Sequence, residues 1–588
     1  MNVTNRRPHP HPRILVLDAD QVPALTIARS LARRRYLVDV ASAYASPIAA
    51  FSNTVCGKFR YPDPLLAEEA FVRWLADHQA LQAYDLVIPV TERSLVPLSK
   101  HRDRLHGVRI AMAETASLDQ VLDKATTFAL AERLGVPTPH SAYVSDMSQL
   151  PAAAAALSFP VVLKPSHSVT AAGAGYSKLN VSYAGNQQEL ESKCREQLRY
   201  SPLILQSYFP GRGVGIELIA TAGRILYSFQ HLRLHEVPLT GGGSSFRMST
   251  DVNPELLEAS EKLIQAINWT GVAMVEFKWN PDSGAFCLME INGRFWGSLP
   301  LATAAGADFP AMLAELLLTG EMGTYPDYRR GVYSRSLGKD ITWHEMVLRT
   351  RSDVVTRVPG IGSVLSDIAK TFLPAHHFDT QSLRDPLPGL VELQRTAASY
   401  LRRFFELADE MRFTLRQRMY WRNGTVRERL RAADTVLFIC YGNINRSALA
   451  EALMASMPGI DCDKQLMSAG FHPEEQRPAD ERMVRVAANH GCDLSRSRSA
   501  QVSNETLRGS DIIFVMEKTH YDRLAAMDAG SAGRVFLLGA HDGGPVNIAD
   551  PYNRPAESYQ LCFTQVQRAV SLLVADLQAG AGNGGTRQ

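Results

Sequence analysis

The segment 436–453 reads Val-Leu-Phe-Ile-Cys-Tyr-Gly-Asn-Ile-Asn-Arg-Ser-Ala-Leu-Ala-Glu-Ala-Leu and decides the fold of the last part of the chain. An apolar run that is typical of a β-strand ends at Cys440, and apolar residues at helical spacing begin at Ala448. The residues between them therefore form a strand-to-helix loop. In such a loop, backbone N–H groups and the helix dipole make a site for a phosphate-sized anion and favour an ionised cysteine.

The composition indicates a protein of several domains. At 588 residues the chain is longer than one core allows, since domains usually contain about 100 to 200 residues. The net charge of +2 gives no basic excess that would recruit nucleic acid. The seven cysteines form neither a close metal-type pair nor an even disulfide set, and no apolar run reaches the roughly 18 residues of a membrane span. We therefore expect a cytoplasmic protein that neither spans a membrane nor binds nucleic acid.

The first part of the chain has the pattern of a doubly wound α/β unit. An apolar strand pattern at 13–19 is followed by an amphipathic helix and a second strand pattern. A further strand pattern at 85–89 leads to Glu92, where ligands of such units bind. An acidic residue at a helix N-terminus explains Glu92 equally well.

Acidic and amide side chains lie on two neighbouring strand patterns, 272–278 and 285–294, which a Pro-Asp-Ser-Gly turn joins into a predicted hairpin. Glu290 and Asn292 leave the same face of the second strand, together with Arg294, and Glu276 can face them from the first. Oxygen ligands of this kind suit Mg²⁺ that bridges nucleotide phosphates. The alternative is a charged surface hairpin, but the flanking residues are too apolar for an exposed sheet.

Residues that suit phosphates precede this hairpin. Lys164 ends a very apolar strand pattern, where a lysine needs an anion. The small-residue segment 168–178 can fold over phosphates through its backbone N–H groups, although such segments are more often ordinary turns. A three-glycine loop near Arg233 and Glu236 is either a site for an anionic substrate or a flexible hairpin.

The order of Lys124, Lys164, the small-residue segment and the acidic hairpin resembles the ATP-grasp enzymes of the carbamoyl-phosphate-synthase-like and amino-acid-ligase-like branch, over residues 13–325. The resemblance implies an enzyme that joins a small-molecule carboxylate to an amine or similar nucleophile through an acyl phosphate, with ATP and Mg²⁺ (or Mn²⁺). The hinge departs from the family, because the usual glutamate is Gln206 here.

The resemblance also assigns roles to residues. The nucleotide phosphates would be held by Lys124 and Lys164 under the lid 168–178, and Arg294 would steady the transferred phosphoryl group. The metal ligands would be Glu276, Glu290 and Asn292. The adenine would be lined by Gln206, Ser207, Tyr208 and Phe209, and the ribose contact would be Glu217.

A basic helical stretch at 401–431 precedes the reactive loop. Its aromatic residues are compatible with a membrane surface. Acids at Glu406, Asp409, Glu410 and Glu428 interrupt the charge run and favour a solvated linker helix.

Several residues support phosphate chemistry at the loop. Arg446 follows Cys440 after five residues, Asn443 tolerates a left-handed backbone, and Ser447 can donate a hydrogen bond to a thiolate. The loop, the Ser-Ala-Gly segment 468–470, the Val-Met-Glu segment 515–517 and the Asp-Pro-Tyr segment 550–552 resemble, in this order, the low-molecular-weight protein tyrosine phosphatases over residues 434–577.

This second resemblance implies hydrolysis of a phosphotyrosine protein or another phosphomonoester through a phosphocysteine. Cys440 would attack the phosphorus while Arg446 clamps two of its oxygens. Asp550 would protonate the leaving phenolate and then activate water. Tyr552 would line the mouth of the site.

Three departures from this family matter. The position before the arginine, often a second cysteine that protects the nucleophile as a disulfide, is Asn445. The aromatic residue of the specificity loop has only Phe471 or His472 as candidates. Arsenate reductases share the loop but need a resolving cysteine pair, and Cys492 stands alone in sequence.

The sequence thus predicts a multidomain α/β protein with a doubly wound pre-ATP-grasp unit, an ATP-grasp α+β domain, a helical linker and a phosphatase domain with a four-stranded parallel sheet. The predicted boundaries are a disordered leader at 1–12, then 13–110, 111–330, 331–433 and 434–577, and a disordered tail at 578–588. The expected function is bifunctional. The alternatives are an ATP-binding module that regulates the phosphatase, or an arsenate-reductase-like last domain.

Overall fold

The computed structural model describes residues 11–165, 169–172, 175–178, 181–353, 355–458, 464–543 and 545–581. The chain divides into two compact units, Met1–Ala397 and Ala398–Gln588. Nearly all of the predicted leader and the last seven residues of the predicted tail lie outside the described residues.

A parallel sheet opens the first unit. It has the order β3-β2-β1-β4 and consists of β1 (Arg13–Val16), β2 (Leu37–Ser42), β3 (Gly57–Arg60) and β4 (Leu86–Ile88). The first helices are α1 (Val22–Arg33), α2 (Glu68–Gln82) and α3 (Glu92–Lys100). Strands β1 and β4 are buried along nearly their whole length, which explains why their sequences are almost continuously apolar. The predicted doubly wound unit is confirmed.

An antiparallel sheet with the order β5-β10-β6-β9 follows. Its strands are β5 (Ser141–Val144), β6 (Val161–Pro165), β9 (Ser182–Ala184) and β10 (Leu203–Ser207), and the helices of this region are α4 (Thr115–Leu122), α5 (Lys124–Arg133), α6 (Leu150–Ala155) and α7 (Gln187–Gln197). A separate hairpin of β7 (Val169–Ala172) and β8 (Gly175–Lys178) occupies the predicted lid. Ser168, Gly173 and Ala174 of this predicted lid lie outside the described residues.

A seven-stranded sheet with the order β15-β14-β11-β12-β13-β16-β17 forms the centre of the unit. The strands are β11 (Arg212–Thr221), β12 (Arg224–Val237), β13 (Gly243–Thr250), β14 (Gly271–Trp279), β15 (Phe286–Asn292), β16 (Tyr333–Arg335) and β17 (His376–Phe378). The helices are α8 (Pro254–Ala266), α9 (Leu299–Ala305), α10 (Phe309–Thr319), α11 (Leu337–Arg349) and α12 (Ile361–Ala369). Apolar side chains of β11 and β14 pack into the cores on both faces of this sheet.

The segment 331–433, predicted as a helical linker, is not helical throughout. Its strands β16 and β17 extend the seven-stranded sheet, with β16 paired to β13. Both strands are three residues long, too short for a periodic pattern to appear in the sequence. The long helix α13 (Pro386–Arg422) and α14 (Thr425–Ala432) complete the segment.

The second unit contains a parallel four-stranded sheet with the order β19-β18-β20-β21, as predicted. Its strands are β18 (Thr435–Cys440), β19 (Gln465–Gly470), β20 (Ile512–Val515) and β21 (Val535–Leu537). Its further helices are α15 (Arg446–Ser456), α16 (Glu481–Asn489), α17 (Asn504–Arg508), α18 (Lys518–Met527) and α19 (Ala556–Ala581). The last helix continues past the predicted domain end at 577, because Gln578 and Ala579 are good helix formers.

Among the described residues, no single helix is long and apolar enough to cross a membrane. One bent pair, α9 with α10, meets the same criteria of length and composition at an angle of 90°.

Candidate active sites

The first site lies where β18 ends and α15 begins. Cys440 is the last residue of the strand, Arg446 is the first of the helix, and the loop between them carries backbone N–H groups at the helix N-terminus. Cys440 is buried, with 2% of the residue exposed. Its sulfur lies 3.0 Å from Ser447 Oγ and accepts a hydrogen bond from the backbone N–H of Asn443 at 3.2 Å. The predicted hydroxyl partner of the sulfur is therefore in place.

Asn443 holds the loop in shape. Its backbone φ is +52°, in the left-handed region predicted for it. Its side-chain amide donates to the hydroxyls of Ser447 and Ser468, each at 2.9 Å, and its carbonyl oxygen accepts from the N–H of Ala500 at 2.8 Å. Gly470 lies against the same loop, where a Cβ would come within 2.7 Å of the Tyr441 carbonyl oxygen. The Ser-Ala-Gly segment thus supports the loop directly.

Arg446 is surrounded by carboxylates. Its guanidinium lies 2.6 Å from Asp550, forms an ion pair with Glu517 and donates to the Ile548 carbonyl at 2.9 Å. Burial alone would lower the pKa of Arg446, but the charges of Cys440, Asp550 and Glu517 raise it above its ordinary value. The contact with Glu517 was not predicted from the sequence, since nothing in the sequence places residue 517 beside residue 446.

A cavity of about 230 Å³ opens over the sulfur. Two exposed tyrosines, Tyr441 and Tyr552, are among its lining residues, and His472 lines it while Phe471 stacks on His520 at 5.7 Å. Of the two candidates for the specificity loop, His472 is therefore the one that faces the cavity. Arg477 also lines it and donates to the Gly442 carbonyl at 2.6 Å, a residue that sequence reasoning missed.

The remaining described cysteines of this unit are in apolar surroundings. Burial raises the pKa of the Cys562 thiol to about 12, and burial followed by the charge of Asp493 raises that of Cys492. Both residues are buried and in the free thiol form. Thiols in this state are poor nucleophiles, so neither fits a resolving cysteine. Cys462 lies outside the described residues.

The second site is on one face of the seven-stranded sheet. Glu276 of β14 is directly paired with Glu290 of β15, and Met274 is paired with Asn292. The side chains of Glu276, Glu290 and Asn292 therefore share one face, as predicted. Strand β15 ends at Asn292, so Arg294 is not on the strand as predicted, although it lines the same cavity as Glu290.

Cations surround these carboxylates. Lys124 Nζ lies 3.4 Å from Glu290, and Arg233 lies 2.5 Å from Glu276. Burial, followed by the charge of Lys124, lowers the pKa of Lys164 to about 8. Burial alone would raise the pKa of Glu290, but Lys124, Lys164 and Arg294 lower it below its ordinary value. The two predicted lysines and the predicted acids are thus electrostatically one site.

A cavity of about 730 Å³ lies beside this cluster, lined by the first sheet's helix α3, by α4 and α5, and by the end of β15. Arg294 and Glu92 both line it and form an ion pair at 3.1 Å. The sequence left two roles open for Glu92, a residue of a ligand site or an acidic residue at a helix N-terminus. The structure is compatible with both, because Glu92 lines the cavity and is also the first residue of α3.

The four residues predicted to line the adenine differ in burial. Gln206 is buried in β10, and its side-chain amide donates to the Ser141 hydroxyl at 2.9 Å. Its side-chain carbonyl oxygen has no hydrogen-bond partner among the described residues. Ser207, Tyr208 and Phe209 follow it and are partly exposed.

Glu217 does not fit the predicted ribose contact. Its side chain is 0% exposed, accepts from Ser298 Oγ at 2.6 Å and lies 2.9 Å from His231 Nδ1. A side chain enclosed in this way cannot reach a ribose hydroxyl. The sequence match failed because it could not show what covers the strand.

Metal binding is tested by the donor set. The described residues contain no group of three or more His, Cys, Asp or Glu side chains that could hold a metal ion. The predicted ligands are instead two carboxylates and an amide, and Asn292 Nδ2 donates to Glu290 at 3.4 Å. Hard oxygen donors beside two lysines fit Mg²⁺ that accompanies a polyphosphate.

Comparison with known proteins gives two family matches. The model described as "Low molecular weight phosphotyrosine protein phosphatase" matches residues 435–582, and the model described as "ATP-grasp in the biosynthetic pathway with Ter operon" matches residues 199–339. These regions contain the reactive loop and the acidic hairpin, respectively.

Individual relatives agree with the first match. "Probable low molecular weight protein-tyrosine-phosphatase EpsP" of Ralstonia nicotianae is 33% identical over 146 residues, which are 25% of this chain and 97% of the relative. The phosphatase Wzb of Escherichia coli is 32% identical over 136 residues, 23% of this chain and 90% of the relative. A solved structure is also similar to this chain. The L-amino acid ligase of Bacillus licheniformis is 15% identical with a TM-score of 0.42, and the similarity covers 53% of this chain and 75% of that chain.

The last part of this chain belongs to the low-molecular-weight protein-tyrosine-phosphatase family. The first unit carries an ATP-grasp domain. Both are families of enzymes, and together they support a bifunctional protein.

Proposed function

We propose that the second unit hydrolyses phosphotyrosine or a related phosphomonoester through a phosphocysteine. The observation that carries this proposal is that Cys440 and Asp550 line one small cavity, with Arg446 paired to Asp550. The loop N–H groups and Arg446 would hold the phosphate dianion, and the Cys440 thiolate would attack the phosphorus in line. Asp550 would protonate the leaving oxygen and, as a carboxylate, take the proton of the attacking water.

The contacts of Arg446 support a role for Glu517 in this mechanism. With no dianion bound, Glu517 and Asp550 both neutralise Arg446. A phosphate would compete with Asp550 for the guanidinium, which leaves that carboxyl group free to protonate the leaving oxygen. Glu517 would keep the side chain in position from the other side.

The phosphocysteine is tested by trapping. The full chain is mixed with para-nitrophenyl phosphate and quenched in acid, and the peptide that contains residue 440 is weighed by mass spectrometry. We expect a phosphate on Cys440. Turnover with phosphate on another residue, or on none, would contradict the mechanism.

For the first unit we propose ATP-dependent ligation of a carboxylate to an amine or similar nucleophile through an acyl phosphate. Support comes from one electrostatic cluster in which Glu276, Glu290 and Asn292 lie opposite Lys124 and Lys164. The lysines would bind the phosphates of ATP, and the two glutamates and Asn292 would hold Mg²⁺, which supplies positive charge to those phosphates. Arg233 would position Glu276, with which it is paired.

The cavity also bears on the substrate of the ligase. Arg294 and Glu92 are a neighbouring cation and anion on its wall. A paired wall of this kind fits a substrate that carries both a carboxylate and an ammonium group, whereas a purely acidic substrate would meet Glu92 unfavourably. We therefore propose an amino acid or a similar zwitterion as one substrate.

The ligase is tested by ADP release. Mg-ATP is supplied with pools of amino acids, and ADP is measured against pools of simple carboxylic acids. We expect ADP release to depend on an amino acid. The competing function, an ATP-binding module that regulates the phosphatase, predicts no ADP with any pool but a phosphatase rate that changes when ATP is added.

A further inference from the structure

The part of α13 in the second unit exposes an unusual number of large apolar side chains. Seven of them are each between 52% and 65% exposed. We refer to them as the apolar stripe: Leu401, Phe404, Phe405, Leu407, Met411, Leu415 and Met419. A contiguous exposed patch of this size on a protein marks a binding surface.

The opposite side of the same helix is docked on the second unit. Phe413 and Trp421 are buried, the Trp421 indole donates to the Leu537 carbonyl at 3.1 Å, and Gln417 accepts from the Leu537 N–H at 3.0 Å. Successive residues of a helix are about 100° apart, which places these residues on the side away from the apolar stripe. The stripe therefore does not belong to the core of this unit.

Arginines lie on the same side of the helix as the stripe. By the same helical spacing, Arg422 is in line with Phe404, within the stripe. Arg412 falls between Leu401 and Phe405, and Arg416 lies just beyond Phe405 at one edge. The acids Glu406, Asp409 and Glu410 lie on the docked side of the helix, where Asp409 pairs with Lys518 at 3.1 Å.

This arrangement revises the sequence analysis. There, the acids were taken to interrupt the positive charge and to favour a solvated helix. They interrupt it only along the chain. Around the helix, Glu406 and Glu410 lie opposite the stripe and Asp409 lies beyond Arg416, so the charged side chains within the stripe and at its edge are arginines.

We propose that the apolar stripe binds the surface of an anionic lipid bilayer. The helix would lie in the plane of the interface with its leucine, methionine and phenylalanine side chains among the acyl chains. The arginines within the stripe and at its edge would extend to the lipid phosphates. The lipid surface differs from a membrane span, for which no single described helix qualifies. It would bring the phosphatase site to substrates at a membrane.

A second copy of the chain is a less suitable occupant. Pairing two stripes would bring the arginines of both copies together, since the helical spacing places no acid among the residues of the stripe. Residues 418 and 422 would also place arginines in the contact seam that the spacing of Leu401, Phe404, Met411 and Leu415 defines. Like charges at these positions oppose self-association, whereas anionic lipid satisfies them.

The test is vesicle binding by the full chain, measured by co-sedimentation with phosphatidylcholine vesicles that contain phosphatidylserine or lack it. We expect binding to the anionic vesicles that weakens as salt is added. Replacing both phenylalanines, Phe404→Ser and Phe405→Ser, should weaken binding at least about tenfold. Arg412→Gln should weaken it about fivefold, since each arginine near an anionic surface contributes about that factor.

The matched control is Arg402→Gln, which removes the same charge from an exposed arginine on the side of the helix away from the stripe. It should leave vesicle binding unchanged. Turnover of para-nitrophenyl phosphate shows that each variant is folded, and Arg412→Gln decides the result if the double variant fails to fold. Equal binding to neutral vesicles, no binding, or an equal loss in Arg402→Gln would overturn the proposal. So would a dimer in sedimentation that the phenylalanine variant dissociates, because a second copy would then occupy the stripe.

Discussion

The two active sites of this chain bind anions by different constructions. In the phosphatase unit the nucleophile, the backbone N–H groups and the arginine all come from residues 440–446, and Asp550 is the main addition from elsewhere. In the ATP-grasp unit the cations and carboxylates come from α5, β6, β12, β14 and β15, which are far apart in the chain.

The difference shows two ways to stabilise a bound anion, by local backbone geometry and by balanced side-chain charges. A loop at a helix N-terminus needs few partners, because its dipoles already favour an anion. The sheet face instead balances side-chain charges, with Lys124 against Glu290 and Arg233 against Glu276. We expect loss of the nucleophile from the loop to abolish activity, and single changes on the sheet to weaken it in proportion to the charge removed.

Cys440→Ser gives the largest expected effect. Turnover of para-nitrophenyl phosphate should fall by at least about 10⁴-fold, because the serine hydroxyl is not ionised near neutral pH. ADP release by the first unit should not change. The matched control is Cys492→Ser, which alters a buried cysteine of the same unit and should retain activity. Turnover that persists in Cys440→Ser would remove this residue as the nucleophile.

Glu290→Gln should produce the next largest effect. It removes one negative charge from the predicted metal ligands, so ATP-dependent ADP release should fall about 10²- to 10³-fold while phosphatase turnover stays constant. Glu258→Gln is the matched control, since that exposed glutamate pairs with Lys262 on a helix of the same unit. A similar loss in both variants would show that Glu290 has no special role.

Asn445→Cys tests the protection of the nucleophile. Asn445 is the last residue of the loop and is buried, and its side-chain amide has no hydrogen-bond partner among the described residues. After peroxide, wild-type activity should return only in small part with dithiothreitol, because Cys440 passes beyond the sulfenic acid. The cysteine variant should recover several-fold more.

Asn445→Ser, which adds no thiol, serves as the control for this change. Its recovery should resemble that of the wild-type chain. Full recovery of the wild-type activity would show that the missing second cysteine does not matter.

His520 should give the smallest effect, on stability rather than catalysis. Burial, followed by the charge of Arg446, lowers its pKa to about 3. Because the folded-state pKa is below that of the unfolded chain, the contribution to stability is complete above about pH 6.5 and is lost as the pH falls toward the folded value. At pH 5 the loss should be about 2 kcal/mol.

His520→Asn should therefore flatten the acid side of the stability profile of the second unit, measured by chemical unfolding at pH 7.5 and pH 5. The exposed His490 of the same unit provides the control as His490→Asn. An unchanged slope in the His520 variant would contradict this assignment.

Much of the phosphatase site could be predicted because its information is local. The end of a strand, a small-residue loop and the start of a helix are adjacent in the sequence, and their backbone directions follow from residue type. Asn443 and Ser447 have the contacts expected of them. The contacts of Glu517 and Arg477 were not predictable, because they depend on which loops meet above the sheet.

The ATP-grasp face was predicted in part. Alternation along a strand shows that Glu290 and Asn292 share a face, and a hairpin turn shows which strand is beside them. Alternation does not show what covers that face, so Glu217 was given a nucleotide contact although Ser298 and His231 enclose it. The end of β15 likewise determines where Arg294 lies.

The sequence by itself determined the two families, the strand-loop-helix that holds Cys440 and the residues on each strand face. These follow from spacing along the chain and from backbone preferences that act over a few residues. Only the tertiary structure decided the pair of Glu92 with Arg294, the enclosure of Glu217 and the extension of the central sheet by β16 and β17. It also separated the acids of α13 from its apolar stripe, because a helix sorts by angle the charges that the sequence mixes along its length.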